Sequence, residues 1–271
     1  MQRIQSAVNN CTKSELRHLL TAACRAALTG GQIIRERYNQ PHAVTMKGAI
    51  NLVTETDLAS EAAIVASLQR DTPTIAIMAE ETTDSHHRTA DRLWVVDPLD
   101  GTTNFAHGFP HFAVSIALLD REAIQVAAIY QPMTDELFCA STGGGAWLND
   151  RAIRVSQTDR PIEALIGTGF PYEIEQTLAD VLRQLAAVLP RVRDIRRAGA
   201  AALDLAYVAC ARLDGFYEIN LQPWDTAAGW LLVEEAGGRL SDFCGHPFSP
   251  FVPQCVASNG RLHPQLLPLL Q

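Results

Sequence analysis

Apolar and polar positions along the chain follow two periods, and the switches between them predict its elements. Leu16, Leu20, Ala23, Ala27 and Ile34 recur at helical spacing and predict a helix over about 14–38. Residues 47–56 read as a loop or hairpin, followed by an alanine-rich amphipathic helix over 58–68. Branched apolar runs at 74–78 and 93–96 predict short buried strands. From 112 to 140 the pattern becomes long β runs broken at Asp120-Arg121-Glu122 and Met133-Thr134-Asp135, which predicts an antiparallel meander. Gly143-Gly144-Gly145 interrupts it, and short strands continue to 155. The second half alternates again: a strand at 164–167, helices at 173–189 and 200–212, and a strand at 215–219. A further helix at 226–236 is stopped by Gly237-Gly238, and short strands end the chain. This mixture is α+β. With no internal repeat and no linker-like stretch, a single domain over 1–271 is expected, with an α+β half to about 155 and an α/β half from about 156.

A hydrophobic content of 47% allows a large core, and no apolar run approaches the roughly 20 residues of a membrane span. The first residues carry no signal-peptide core. The six cysteines are scattered without a C-x-x-C pair, which favours free thiols in a cytoplasmic setting over a structural zinc site. The formal net charge of -8 argues against general nucleic-acid binding. Arg191, Arg193, Arg196 and Arg197 form one local basic cluster, read as a solvated surface or subunit contact.

The candidate chemistry begins where the 93–96 strand ends. Asp97-Pro98-Leu99-Asp100 places two carboxylates at a strand end, and Gly101-Thr102-Thr103 offers small, hydroxyl-bearing residues at the turn that follows. Strand-end carboxylates suit a hard divalent cation, and the backbone N–H groups of a helix start suit phosphate oxygens. Glu80 follows the 74–78 strand as Asp97 follows 93–96, so neighbouring strands would bring Glu80, Asp97 and Asp100 together. Such like charges are unfavourable without cations. Asp225 and Asp57 each precede a predicted helix, where a plain N-cap is the structural alternative. His107 and His111 flank Gly108-Phe109-Pro110, which argues against a helical metal pair and assigns them packing or surface roles. There is no G-x-S-x-G elbow and no cysteine in a phosphatase-type loop, so attack by metal-activated water is favoured.

The run from Asp97 to Ser115, with Gly101-Thr102-Thr103-Asn104-Phe105, resembles the signature of the inositol monophosphatase family. Trp224-Asp225-Thr226-Ala227-Ala228-Gly229 and Glu235-Ala236-Gly237-Gly238 resemble a second signature of the same family. The resemblance covers about 22–260 and looks nearest the bacterial inositol-1-monophosphatases. It implies a layered α-β-α-β-α sandwich and a Mg²⁺-dependent, lithium-sensitive phosphomonoesterase acting on inositol-1-phosphate and similar polyol phosphates.

By the same resemblance, Glu80, Asp97, the Leu99 carbonyl, Asp100 and Asp225 bind two or three Mg²⁺ ions per site. Asp57 and Thr102, with Glu80, orient the attacking water, while Gly101 and Thr102 hold phosphate. Gly199, Ala200, Ala201, Glu218 and Asp225 contact the substrate alcohol. Lys47 and Glu81 are auxiliaries, with a solvated lysine and an exposed loop acid as alternatives. The family often has glycine where this chain has Ala79. A homodimer is usual among relatives. Two other functions stay open: a broader sugar phosphatase, including fructose-1,6-bisphosphate, and a regulatory protein binding the transcription machinery for ribosomal RNA.

Overall fold

Apolar residues on both faces of a strand require cover on both sides of its sheet, and that requirement organises the fold. The computed structural model describes residues 2–40, 44–46, 52–82, 90–172 and 174–271. Helices α1 (Gln5–Asn10), α2 (Ser14–Arg37) and α3 (Glu55–Asp71) come first. An antiparallel pair, β1 (Val44–Met46) and β2 (Leu52–Thr54), lies between α2 and α3. A seven-stranded sheet follows in chain order: β3 (Ala76–Ala79), β4 (Arg92–Asp100), β5 (Ala113–Asp120), β6 (Ala123–Gln131), β7 (Glu136–Ser141), β8 (Gly145–Leu148) and β9 (Arg151–Ile153). Only β3 and β4 pair in parallel; the rest is the expected meander. The short α4 (Thr102–Ala106) connects β4 to β5.

The second sheet has five strands in the order β11 (Asp194–Arg196), β10 (Leu165–Thr168), β12 (Gly215–Ile219), β14 (Gln254–Ser258), β13 (Arg239–Ser241). Its helices are α5 (Ile174–Val188), α6 (Ala201–Ala209), α7 (Pro223–Glu235) and α8 (His263–Leu270). On β5, Val114, Ile116 and Leu118 face the core under α2 and α3, whereas Ala113, Ala117 and Leu119 face the core shared with α6 and α7. That second core continues to Phe216, Cys255 and Ala257 of the small sheet, and a third lies between the small sheet and α5 with α8. The layers are therefore α2/α3, seven strands, α6/α7, five strands, α5/α8, the α-β-α-β-α sandwich expected.

Three expectations are corrected. The chain ends in helix α8, after β13 and β14, rather than in short strands. The strand expected to end at 96 continues through Pro98, because β4 resumes its register with β5 at Asp100. Helix α7 begins at Pro223, three residues before the expected start.

Candidate active site

The parallel pair of β3 and β4 aligns Ala79 with Val96, and Glu80 continues the ladder by donating its N–H to the Val96 carbonyl at 3.1 Å. Glu80 and Asp97 therefore leave the sheet side by side. Between Asp97, opposite Ser115, and Asp100, opposite Ala113, β4 holds one residue more than β5, a β-bulge. In a regular strand, residues three apart face opposite sides; the extra residue lets both aspartates line one cavity. The Leu99 N–H donates to Asp97 Oδ1 at 2.9 Å, which fixes that carboxylate. Gly101 then turns the chain at φ +90°, where an added Cβ would lie 3.0 Å from the His111 carbonyl oxygen.

Helix starts supply the remaining groups. The Ala202 N–H, in the first turn of α6, donates to Asp100 Oδ2 at 2.8 Å. Asp225 is the third residue of α7, not its N-cap: the Gln222 N–H donates to Asp225 Oδ2 at 2.7 Å in a capping box. Asp57 holds the same position in α3, with Thr54 as the cap. The Thr54 N–H and hydroxyl both donate to Asp57 Oδ2, at 2.9 and 2.5 Å, while the Thr102 hydroxyl lies 3.0 Å from Asp57 Oδ1 and 3.0 Å from the Leu99 carbonyl. Burial raises the Asp57 carboxyl above its usual range, against the hydrogen bonds from Thr54 and Thr102 that lower it.

A cavity of about 540 Å³ collects Glu80, Asp97, Leu99, Asp100, Gly101 and Thr102 from the large sheet. The C-terminal half contributes Gly199, Ala200, Ala201, Glu218 and Asp225 to the same walls. Burial, reinforced by Glu80, Asp100 and Asp225, pushes Asp97 well above the carboxylate range. Burial likewise pushes Asp100 up to about 7, opposed by the Ala202 N–H and helped by Glu80. Asp225 reaches about 7 through burial and the charge of Asp100. Four carboxylates, three of them held by backbone N–H groups, and a carbonyl fit hard divalent cations: oxygen donors are the preferred ligands, and positive charge relieves the mutual repulsion.

Of the other residues named from the sequence, Glu81 is held by its own N–H, which donates to Glu61 Oε2 at 2.8 Å, and it does not line the cavity. Lys47 lies outside the described residues. His111 is partly buried, its ring edge-on to Tyr207, and burial lowers its pKa. The arginine cluster divides. Arg196 pairs with Asp194 and Arg191 bonds the Ala187 carbonyl, whereas Arg197 lines the cavity, its guanidinium 5.2 Å from the Phe170 ring centroid.

Sequence reasoning missed the wall made by Gly169, Phe170, Pro171 and Tyr172. It also missed the amide of Asn104, which donates to the carbonyls of His111 at 2.7 Å and Ala198 at 2.9 Å and so sets the 198–199 segment. Gly169 follows strand β10, which is parallel to β12, and residues past the carboxyl ends of parallel strands commonly line sites. That pairing is a matter of topology, so no local sequence signal marked the wall.

The whole-chain comparison agrees with this geometry. A model of the inositol monophosphatase family matches residues 15–271. This chain belongs to the inositol monophosphatase family. Among curated relatives of this family member, Nus factor SuhB of Escherichia coli strain K12 is 44% identical over 247 residues, covering 90% of this chain and 92% of that protein. Among solved structures, the extragenic suppressor protein suhB from Bartonella henselae superposes with a TM-score of 0.89 at 39% identity, covering 93% of this chain and 98% of that one. Inositol monophosphatase from Anabaena (Nostoc) sp. PCC 7120 gives a TM-score of 0.87 at 37% identity, covering 95% and 96%. Among the described residues, no helix is long and apolar enough to cross a membrane.

Proposed function

We propose that this chain is a Mg²⁺-dependent phosphomonoesterase that hydrolyses inositol-1-phosphate and similar polyol phosphates. The observation that carries the reading is the Thr102 hydroxyl, 3.0 Å from Asp57 and on the wall of a cavity that also holds Glu80, Asp97, Leu99, Asp100 and Asp225. Those five groups would hold two or three divalent cations, which when bound neutralise phosphate charge and acidify water. Glu80 borders the place where water would be oriented, and the Thr102 hydroxyl accepts the water's proton as its own passes to Asp57 Oδ1. A hydroxyl alone is too weak a base, and the buried carboxylate supplies the basicity. Water forms the new O–P bond, the ester O–P bond breaks, and the alcohol leaves after taking a proton from solvent.

Gly101 and Thr102 face the phosphate, and Glu218, Gly199, Ala200 and Ala201 face the alcohol. The first N–H groups of α6 already serve Asp100, so Glu218 carries most of the polyol recognition on this wall. Burial pushes Glu218 well above the carboxylate range, with Asp225 and Asp204 adding and Arg197 opposing. The Glu218 carboxyl oxygens accept hydrogen bonds from sugar hydroxyls. The resemblance further supports lithium inhibition, a homodimer and a cytoplasmic setting.

The test is phosphate release from inositol-1-phosphate, fructose-1,6-bisphosphate, 3'-phosphoadenosine-5'-phosphate and histidinol phosphate, with and without Mg²⁺, beside Asp100→Asn. Metal-dependent turnover led by inositol-1-phosphate and lost in the variant is expected. Another leading substrate, such as fructose-1,6-bisphosphate, moves the specificity, and no turnover of any ester refutes the catalytic reading.

A second reading, a regulatory protein of the transcription machinery, rests on the 44% identity to a Nus factor. Its test is charge reversal of Arg191 and Arg193, with Arg197 spared because it lines the cavity. Loss of partner binding with hydrolysis intact would support it.

A further inference from the structure

Away from the cavity, the turn after β13 gathers three side chains of metal-ligand chemistry. Asp242, Cys244 and His246 stand at every second position, and a carboxylate oxygen, the thiol sulfur and a ring nitrogen lie within 4.8 Å of one another. In an extended strand the first and last would be about 13 Å apart. Among the described residues, no other group of three such donors approaches this closely. Cys244 is also the one exposed thiol of the six.

The turn's backbone is closed at both ends. Asp242 N–H donates to the His246 carbonyl at 3.2 Å, Gly245 N–H to the Asp242 carbonyl at 3.1 Å, and Ser241 bridges Pro247. Gly245 adopts φ +85°, which permits the tight return. Phe243, 3% exposed, is buried in the core beneath α8, so the turn is pinned to the fold. The Asp242 carboxylate is set as well, its Oδ1 accepting from the Cys244 N–H at 2.9 Å and the His246 N–H at 2.8 Å, so the torsions of Cys244 and His246 remain to be set.

We propose that this turn binds a thiophilic divalent cation, Zn²⁺, through Asp242, Cys244 and His246, with water as the fourth ligand. One sulfur, one nitrogen and one oxygen donor suit zinc and discriminate against Mg²⁺, which prefers the all-oxygen set of the cavity. Tetrahedral bonds of about 2.0–2.3 Å require donors roughly 3.3–3.8 Å apart, so the widest separation closes by about 1 Å and the His246–Asp242 pair opens by about 0.6 Å, through rotation of the exposed Cys244 and His246 side chains. His246 Nδ1 already lies 2.7 Å from Asp242 Oδ2. Coordination replaces the hydrogen between them, the ring proton moving to Nε2. The Cys244 thiol proton goes to solvent, so one proton is released per ion.

The full-length protein, saturated with Mg²⁺, is titrated with Co²⁺ as a spectroscopic stand-in for Zn²⁺. A single equivalent should give a thiolate-to-cobalt charge-transfer band with tetrahedral ligand-field absorption, and added Zn²⁺ should abolish both. Cys244→Ser should lose the band, and His246→Gln should bind more than about tenfold more weakly. Asp100→Asn should keep the band, separating this site from the cavity whether or not the chain hydrolyses phosphate esters. A missing band in the parent protein, or one that persists in Cys244→Ser, overturns the proposal.

Discussion

Asp57 and Asp225 each split their two oxygens between structure and chemistry. In both, Oδ2 closes a capping box at the third residue of a helix, and Asp57 Oδ1 is left to face Thr102. Asp57→Asn keeps an acceptor for the cap, so it should retain the fold to within about 1 kcal/mol. Its kcat on inositol-1-phosphate should fall about 10²–10⁴-fold. Thr102→Val should fall comparably, and Thr102→Ser should recover most of the loss. Steady-state kinetics check this, and a near-normal kcat in Asp57→Asn would remove the relay. At this scale the sequence was informative because the signature is local: Glu80, Asp97, Leu99, Asp100 and Asp225 all line the cavity. An N-cap was the structural alternative for Asp57 and Asp225; both stand instead at the third helical residue, because a capping box starts the helix before its apolar periodicity begins. Arg197, Phe170 and Tyr172 were not legible as cavity residues, since only topology brings their segments to the site.

Two glycines show how elements set side-chain positions through space alone. A Cβ on Gly169 would lie 2.0–2.2 Å from the Glu218 carboxyl group. That group is the end of a flexible chain, so Gly169→Ala should leave thermal stability nearly unchanged while moving Glu218. KM for inositol-1-phosphate should rise with little change in kcat; unchanged kinetics would remove Glu218 from recognition. A Cβ on Gly31 would instead strike the Tyr130 ring at 2.2 Å, where α2 crosses β6. Alanine gains about 1 kcal/mol in helix propensity there, yet overpacking a core contact costs about 1–3 kcal/mol. Gly31→Ala should therefore lower Tm, as followed by circular dichroism, and a raised Tm would show that α2 can shift. The meander was legible because period two and its turn residues agree, with Arg121 and Asp135 taking φ of 57° and 58°. Helix α8 was missed because Pro264 and Pro268 read as breakers, although Pro264 sits in the first turn, where no N–H is lost.

Across the whole molecule, the core shared by α6, α7 and both sheets spans the two halves of the chain. We infer that 1–271 unfolds as one unit. His263 reports on this body. Its ring nitrogens lie 2.9 Å and 3.0 Å from the hydroxyls of Ser241 and Ser258, and burial lowers its pKa to about 4. The unfolded ring titrates near 6.5. Below that pH the unfolded chain binds the extra proton, so this stability is full above about 6.5 and fades as pH falls towards 4. His263→Gln should flatten that acid limb of the Tm-against-pH curve; an unchanged limb would show that the ring is not buried neutral. The cavity acids act with the opposite sign. With pKa values near 7 for Asp100 and Asp225, their contribution to the stability of the metal-free protein falls as pH rises from about 4 through 7. Mg²⁺ competes with those protons, so it should raise Tm more at pH 8 than at pH 6, measured by differential scanning calorimetry.

The cavity walls come from both halves, but not evenly. Asp57 and Thr102, the proposed proton path, stand before residue 155, while Tyr172, Arg197 and Glu218 stand after it. The segment between β9 and β10 is thus a natural crossover point for a chimaera. A hybrid carrying a relative's C-terminal half would inherit a foreign substrate wall around a native proton relay. Preference among esters would travel with one parent, and the rate of the chemical step with the other.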